Sequence, residues 1–313
     1  MRTSDNHTHR LTSFDDGASA EMSPKTPIDL NSCRIGVMVN RSSGSCDVQS
    51  EHDLGAILAS RGLKASEIWC GQGGDLQAAL AKMQNHLLDV LIVLGGDGTI
   101  RAAAESCHVD SPLLMPLAGG TMNVLPKALY GARSWRDALA ATLEKPVRRS
   151  IAGGTVAGHR FFIAAIFGGA TKIADAREAL RSGAIAQAVE KGVGALGNAL
   201  STTLQYDFGL FSGSSEAVAV LCDTSRLSFS PTGMFEVAAF KLESPLAAVR
   251  LAVHSLLGGW RTDPDVVHTH LKTLAVSSEL PIPAMLDGEM FAFGRAVQID
   301  FLPTAFTALV PGP

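Results

Sequence analysis

The stretch VLIVLGGDGTIRAAAE, residues 90–105, decides the fold of this chain because it joins an apolar strand to a helix through a glycine-rich loop. The residues from Val90 to Leu94 are all apolar, which is typical of a strand buried on both faces. The loop 95–99 follows at once, and a helix is predicted from about Thr99. Glycine is costly unless the backbone takes an unusual conformation or another group comes very close. The carboxylate of Asp97, placed between glycines, therefore marks this loop as a candidate functional site.

The first half of the chain alternates strand patterns with helix patterns. Apolar runs at residues 35–39 and 113–117 have the same buried-strand character as residues 90–94. Residues 75–89 predict an amphipathic helix whose apolar face includes Leu87, and residues 134–145 predict a helix capped by Ser134. This alternation predicts an α/β fold with a doubly wound parallel sheet.

The second half has a different pattern, which begins after about Lys145. Short alternating or apolar runs are separated by glycine, proline and serine turns, and this predicts a mainly antiparallel, β-sandwich-like domain. Helical patterns interrupt it at residues 174–200 and 245–257. We therefore divide the chain into a disordered N-terminal extension (1–32), an α/β domain (33–148) and a β-rich domain with helical inserts (149–301). Residues 302–313 are a candidate to return to the first domain, and a cleft is expected between the two domains.

Composition narrows the class of protein. Of the 313 residues, 46% are hydrophobic and 18% are charged, which fits a globular protein with enough length for sizeable cores. The formal net charge of −4 argues against a general nucleic-acid binder. The five cysteines form no C-x-x-C pair, which favours a reducing, cytoplasmic compartment. The sequence has no apolar run of about 18 residues, so no transmembrane segment is predicted, and its start lacks a signal-peptide pattern.

Three predicted strands end in loops of small residues, at Asn40–Ser45, Gly95–Thr99 and Ala118–Asn123. In an open parallel sheet, ligands bind where the strands end, and the N-termini of the helices that follow present amide groups to anions. The loops together predict a polyphosphate cradle, and the chain has neither a P-loop motif nor a G-x-G-x-x-G after its first strand. Asp97 suits a magnesium ion, a ribose or a hydroxyl that must lose a proton. The alternative role for Asp97 is the N-cap of the helix near Thr99.

The loops belong to an ordered set of motifs. GGDGT at 95–99, PLAGGTMNVLPKALYG at 116–131 and PAMLDGEMFAFGRAVQIDFLPTAFTALVP at 283–311 resemble, in that order, the soluble diacylglycerol kinase family, which includes sphingosine kinases and bacterial lipid kinases. The resemblance covers roughly residues 33–311. GGDGT alone is shared with NAD kinases and phosphofructokinases. The Gly-Gly-Thr-x-Asn loop and the turn Asp287-Gly288-Glu289 are what favour lipid kinases over those relatives.

The resemblance implies ATP- and Mg²⁺-dependent transfer of a phosphoryl group to a lipid hydroxyl, with diacylglycerol as the default acceptor. The α/β domain would hold the nucleotide, and the β-rich domain would hold much of the lipid. Glu289 matches the proposed general base of the family, and Asp97 is the competing candidate. The implied metal ligands are Asp97, through water, and Asp287. The implied nucleotide-binding residues are Asn40, Ser43, Gly44, Gly95, Gly96, Asp97, Gly98, Thr99, Gly119, Gly120, Thr121 and Asn123.

The chain departs from the family pattern at three places. Ile100, Arg101 and Ala102 follow GGDGT, where the family usually has a hydrophobic residue and then Asn-Glu. Arg41 follows Asn40 in place of a proline, and residues 228–237 lack an Asp-Gly that helps to build an auxiliary magnesium site. Two roles stay open for Arg101, as a positive charge for phosphate or as a solvated surface residue.

Several functions and partners follow from the resemblance. The alternatives to a diacylglycerol kinase are a sphingoid-base kinase, an NAD kinase-like enzyme and a catalytically silent nucleotide- or lipid-binding protein. The expected partner is a lipid substrate at the inner face of a membrane. Basic residues of the first helical insert (Lys172, Arg177, Arg181 and Lys191) are candidate contacts for anionic headgroups. The oligomeric state is open, a homodimer included.

Overall fold

The computed structural model describes residues 28–107, 112–168, 203–209, 211–222, 233–241, 261, 263–264 and 266–312. Most of the predicted N-terminal extension, both predicted helical inserts and the four basic residues of the first insert lie outside these ranges. No helix in the described ranges is long and apolar enough to cross a membrane.

The first half forms the predicted α/β arrangement. Strands β1 and β3 are buried at all six of their residues because helices cover both faces of the sheet. The strands are parallel and lie in the order β2-β1-β3-β4, which confirms the predicted parallel sheet. The elements are β1 (Ile35–Asn40), α1 (Val48–Ser60), β2 (Ala65–Gly71), α2 (Leu76–Gln84), β3 (Val90–Gly95), α3 (Asp97–Ser106), β4 (Leu113–Ala118), α4 (Val124–Tyr130) and α5 (Trp135–Glu144), with short 3₁₀ turns at Leu30–Ser32 and Gly73–Asp75.

The second half is built of strands over its described residues, as the sequence predicted. Six of them form an antiparallel sheet in the order β12-β11-β10-β7-β14-β15, and the other six extend the first sheet, which they join through β16. The strands are β5 (Pro146–Val156), β6 (His159–Phe161), β7 (Ala164–Gly168), β8 (Leu204–Asp207), β9 (Ser212–Ser215), β10 (Ala217–Leu221), β11 (Phe235–Phe240), β12 (Val266–Leu271), β13 (Thr273–Ser277), β14 (Ile282–Leu286), β15 (Glu289–Phe293) and β16 (Ala296–Pro311).

Strand β16 connects the two halves. Its first part pairs antiparallel with β13, and it pairs with β5 along most of its length. Near its end, Ala308 pairs with Leu114 of the parallel strand β4. Strands β5 and β16 therefore run across the predicted boundaries at 148/149 and 301/302, and the division into domains stays a prediction.

Two apolar cores stabilise these layers. The first lies between the parallel strands and their helices and includes Phe306 at the end of β16. The second lies between the two sheets, where Phe167 and Phe235 of the antiparallel sheet pack with Val276 and Ile299. Packing of two sheets across one core is the arrangement of a β-sandwich. The β-rich half thus has the sandwich-like fold that the sequence predicted.

Two helix boundaries differ from the sequence-based expectation. Helix α2 ends at Gln84, so Leu87 does not lie on its apolar face; it is 75% exposed, with φ of 46°, and the adjacent Leu88 is buried instead. In the turn between α2 and β3, the buried apolar position is therefore Leu88 and not Leu87. Helix α3 begins at Asp97, two residues before Thr99.

Candidate active site

The three predicted loops meet at the carboxyl edge of the parallel strands. We call this surface the three-loop edge, defined by residues 40–46, 95–99 and 118–123. The amide of Ser45 donates to the carbonyl of Gly119 at 2.8 Å, and the amide of Gly119 donates to the carbonyl of Gly95 at 2.8 Å. The amide of Gly96 donates to Ser43 Oγ at 2.9 Å. These bonds bring the loops together as one surface.

Glycine is required where these loops touch each other. A Cβ atom added to Gly120 would lie 2.6 Å from the Cα of Gly96, closer than real Cβ atoms approach other atoms. A Cβ atom added to Gly119 would lie 2.5 Å from Cys46 Sγ and 2.9 Å from the amide nitrogen of Gly95. Neighbouring loops therefore make the close approach that requires glycine at these two positions.

The predicted nucleotide-binding residues fall into a buried set and a solvent-facing set. Asn40 Nδ2 donates to Thr99 Oγ1 at 2.7 Å, and both residues are buried. Gly95, Gly119 and Asn123 are also buried, so this set holds the loops in place. The solvent-facing or partly exposed set consists of Ser43, Gly44, Gly96, Asp97, Gly98, Gly120 and Thr121.

The helix N-termini at this edge are not equivalent. Asp47 and Ser50 form a capping box on α1, in which the Asp47 carboxylate accepts the Ser50 amide at 2.8 Å. Helix α4 is capped from outside by Asp97. Helix α3 begins after Gly96 with no side-chain cap. Among the residues that the structure describes, the N-terminus of α3 is the one of the three whose first amides have no side-chain acceptor.

Asp97 binds the backbone of a helix other than its own. Its Oδ2 accepts the Asn123 amide at 2.8 Å, and its Oδ1 accepts the Val124 amide at 2.7 Å. The loop before α4 is closed by Asn123, which has a left-handed backbone and whose Oδ1 accepts the Gly120 amide at 2.8 Å. Asp97 is the first residue of α3, so it is not the N-cap that the sequence suggested as an alternative.

Glu289 is brought to the glycine loop by the β14–β15 hairpin. A Cβ atom added to Gly98 would lie 3.3 Å from Glu289 Oε1, which puts the carboxylate directly beside the start of α3. The other oxygen, Oε2, forms an ion pair with Arg101. The Glu289 side chain is 43% exposed, so solvent and a substrate have access to it. The two carboxylates predicted to carry catalysis, Asp97 and Glu289, therefore flank the same loop.

Asp287 has a structural position in the turn before Glu289. Its carboxylate accepts amides of Phe162 at 2.7 Å and of Ile163 and Ala164 at 2.9 Å, and its φ is 48°. Burial raises the pKa of the Asp287 carboxyl, and these amide bonds and nearby Arg101 oppose that shift. The hydrogen bonds anchor the hairpin tip to the chain that leads into β7.

The fit of a magnesium ion differs between the two predicted ligands. Among the residues that the structure describes, no group of three or more histidine, cysteine, aspartate or glutamate side chains is arranged to hold a metal. An ionised carboxylate accepts about four hydrogen bonds, so Asp97 keeps capacity for a metal-bound water beside its two amide bonds. Asp287 already accepts three amides, which leaves it less capacity. Its role as a metal ligand stays a prediction.

Sequence reasoning missed the group around Arg101. Arg101 is buried on α3, and its guanidinium binds Glu105 as well as Glu289. It is neither a solvated surface residue nor a charge exposed for phosphate. The spacing of Arg101 and Glu105, four residues apart on a helix, is a recognisable signal for an ion pair. The contact with Glu289 has no such local signal because the two residues lie in different halves of the chain.

The part of the chain that carries these loops matches a known family model. Residues 34–154 match the family model of the diacylglycerol kinase catalytic domain. This match confirms, over that segment, the resemblance stated from the motifs.

Solved structures support the same fold. A diacylglycerol kinase from Bacillus anthracis str. Sterne is 18% identical with a TM-score of 0.63, over 90% of this chain and 97% of that chain. A second solved structure from that organism, provisionally assigned as a diacylglycerol kinase, is also 18% identical, with a TM-score of 0.64 over the same shares of both chains. No curated protein matches the sequence.

Proposed function

We propose that this protein is an ATP- and Mg²⁺-dependent lipid kinase that phosphorylates a lipid hydroxyl, with diacylglycerol as the first candidate acceptor. The observation that carries the proposal is the position of Glu289, whose carboxylate lies beside Gly98 at the N-terminus of α3. A carboxylate next to uncapped helix amides combines a base for a hydroxyl with a site for phosphate oxygens.

In the proposed reaction, the loop 95–99 and its neighbours bind the nucleotide and its magnesium ion. The amides at the N-terminus of α3 would bind phosphate oxygens of ATP, and Ser43, Gly44 and Thr121 line the surface beside them. Magnesium, when bound with the nucleotide, would neutralise charge on the transferred phosphoryl group, and Asp97 would hold it through water. Phosphoryl transfer asks the protein mainly to position two oxygens and to stabilise negative charge.

Glu289 is the residue that we propose as the general base. The O–H bond of the lipid breaks as its proton passes to the Glu289 carboxylate, and the lipid oxygen forms a bond to the γ-phosphorus. The bond between that phosphorus and the bridging oxygen breaks, and its electron pair leaves with ADP. Asp97 is less suited to this step because both of its oxygens accept amides of the α4 N-terminus.

The acceptor and the base are tested together by transfer of labelled γ-phosphate from Mg·ATP to diacylglycerol, monoacylglycerol, sphingosine, ceramide and NAD. We expect label on diacylglycerol and a loss of about 10²- to 10⁴-fold in Glu289→Gln, the usual contribution of general-base catalysis. Glu279→Gln is the matched control because Glu279 is exposed in the turn after β13, and its activity should stay at the wild-type level.

The other outcomes separate the alternatives. Label on sphingosine would identify a sphingoid-base kinase, and label on NAD would identify an NAD kinase-like enzyme. ATP binding without transfer to any acceptor would identify a silent binding protein. Full activity of a folded Glu289→Gln would assign the base to another residue.

The lipid acceptor implies that the protein works at a membrane surface, and we propose a cytoplasmic protein that binds the membrane peripherally. Co-sedimentation with vesicles of phosphatidylglycerol and diacylglycerol tests this. We expect binding that weakens as salt is added, because screening reduces attraction between basic side chains and anionic headgroups. Binding that is absent at low salt would contradict it.

A further inference from the structure

Arg101 is an unusual residue to find buried between a helix and a strand. Its side chain is only 7% exposed, although arginine is almost never buried unless it is paired. It lies on α3, one turn after Asp97, where the chain departs from the family pattern. Removing a guanidinium from water costs free energy, so the contacts that it makes in the interior decide why it is there.

The guanidinium of Arg101 is held on several sides. Nη1 lies 3.0 Å from Glu105 Oε2, and Nη2 donates to Glu289 Oε2. The ring of Phe291, two residues after Glu289, lies 5.5 Å from the guanidinium carbon. Nε is buried and has no hydrogen-bond partner among the described residues. Arg101 thus links α3 of the α/β half to strand β15 of the β-rich half.

The contacts around Arg101 fix its orientation. Glu105, its partner on α3, also lies 3.6 Å from His159 Nδ1 and accepts the Arg160 amide at 3.3 Å. The His159 ring packs on Phe291 with a centroid distance of 4.7 Å. Arg101 therefore presents its guanidinium to Glu289 from a fixed position.

Strand β15 is held less firmly than Arg101, because a neighbouring strand pairs with it on one side only. It is the last strand of the antiparallel sheet in the described part of the chain, so only β14 pairs with it. Asp287 anchors one end of the hairpin turn through three backbone amides. Beyond the turn, the Glu289 side chain projects from an edge strand, and among the described residues its ion pair is with Arg101.

We propose that Arg101 is a positioning residue for Glu289, an inference that rests on the proposed kinase function. Arg101 holds Oε2 of the carboxylate, which leaves Oε1 beside Gly98 to accept the proton of the acceptor hydroxyl. An ion pair between a buried arginine and a partly exposed carboxylate is weak evidence for a role in stability, because desolvation of the arginine offsets much of the attraction. The geometry favours orientation of Glu289 as the function of the pair.

The kinetic test uses Arg101→Met, which keeps much of the side-chain volume and removes the charge. We expect kcat to fall by about tenfold to a hundredfold, the loss that misplacement of a catalytic group produces, with the KM for ATP unchanged. Arg101→Lys should recover part of kcat because one donor can still reach Glu289. When Glu289 is already replaced by glutamine, Arg101→Met should lower kcat little further, because Arg101 acts through the Glu289 carboxylate. Losses that multiply in the double variant would overturn the inference.

A second measurement does not depend on activity. Hydrogen exchange of the peptide 285–293, followed by mass spectrometry, reports how firmly the hairpin is held. We expect faster exchange in Arg101→Met than in the wild type. Arg136→Met is the matched control, because Arg136 also pairs with a carboxylate, that of Asp53, and stacks on Trp135, but it lies on α5. Its exchange over 285–293 should equal that of the wild type.

The two measurements separate the inference from the function on which it rests. If the wild type phosphorylates none of the acceptors, the proposed kinase function is refuted. Faster hydrogen exchange of residues 285–293 in Arg101→Met would still show that Arg101 holds the hairpin that carries Glu289. Unchanged exchange in Arg101→Met refutes the positioning role even if the wild type is an active kinase.

Discussion

At the scale of single residues, Asp97 shows how one carboxylate serves two helices. It begins α3 and caps α4, so the loops before both helices have a shared anchor. A carboxylate near a helix N-terminus is stabilised by the backbone amides and by the helix dipole. Asp97 therefore contributes to the stability of the site as well as to any chemistry performed there.

Asp97→Asn should lower the free energy of unfolding by about 1–2 kcal/mol. An asparagine oxygen can accept one of the two amides, of Asn123 or Val124, but its NH₂ group would then face the other amide, which is also a donor. Urea denaturation measures this change. Asp75→Asn is the matched control, because Asp75 precedes α2 and its side chain makes no cap hydrogen bond. Equal stability of the two variants would contradict the capping role.

The sequence predicted that Asp97 is important but not what it binds. Val124 lies in a different loop, and no spacing rule connects the two positions. The same limit applies to Arg101, since its charge and its pairing with Glu105 are visible locally but its contact with Glu289 depends on how the two halves pack. Position in the motif singled out Glu289 as a candidate, whereas its neighbours came only from the three-dimensional structure.

At the scale of elements, the glycine loops are defined by contacts between loops. Gly120 and Gly96 come from successive strand ends of one sheet edge, and their backbones approach too closely for any side chain. The sequence predicted strand–loop–helix units well, because buried parallel strands produce continuous apolar runs. It predicted the ends of helices less well. Leu87 shows why, since an apolar residue just past the last turn continues a helical pattern without belonging to the helix.

Gly120→Ala should lower the free energy of unfolding by about 1–3 kcal/mol, because the new Cβ would collide with the backbone of Gly96, which cannot rotate away as a side chain can. Thermal or urea unfolding measures the loss. Gly55→Ala gives the opposite expectation, a gain of about 0.5–1 kcal/mol, because Gly55 lies inside α1 with open space where its Cβ would be. A neutral Gly120→Ala would mean that the loops can separate at little cost.

At the scale of the whole molecule, β16 makes the two halves depend on each other. It pairs with β13 and β5 in one half and reaches β4 in the other. Near its end the fully buried Phe306 packs edge-to-face on Phe162, with ring centroids 5.1 Å apart. The overall architecture was predictable because each half has its own pattern of periodicity, but the extent of this one strand was not.

Phe306→Ala should lower the free energy of unfolding by about 3–5 kcal/mol, the usual cost of removing a large side chain from a core. Because β16 belongs to both halves, we expect amide protection in β3 and in β13 to fall together when hydrogen exchange is followed in the variant. Tyr206→Ala, which removes a side chain from the second core, tests the same coupling from the β-rich half, and amide protection in β3 and β13 is measured again. Loss of protection confined to β3 would show that the halves unfold independently.

The position of β16 in the chain has a consequence for biosynthesis. It leaves the ribosome after every other described strand, although its partner β4 is made early. About 180 residues separate the end of β4 from the start of β16, a delay of roughly 10–40 s at about 5–20 residues per second. During that interval the edge of β4 has no β16 to pair with, and an open strand edge is a template for aggregation. A nascent chain of this protein is therefore expected to need chaperone protection until β16 has been translated and can pair with β4.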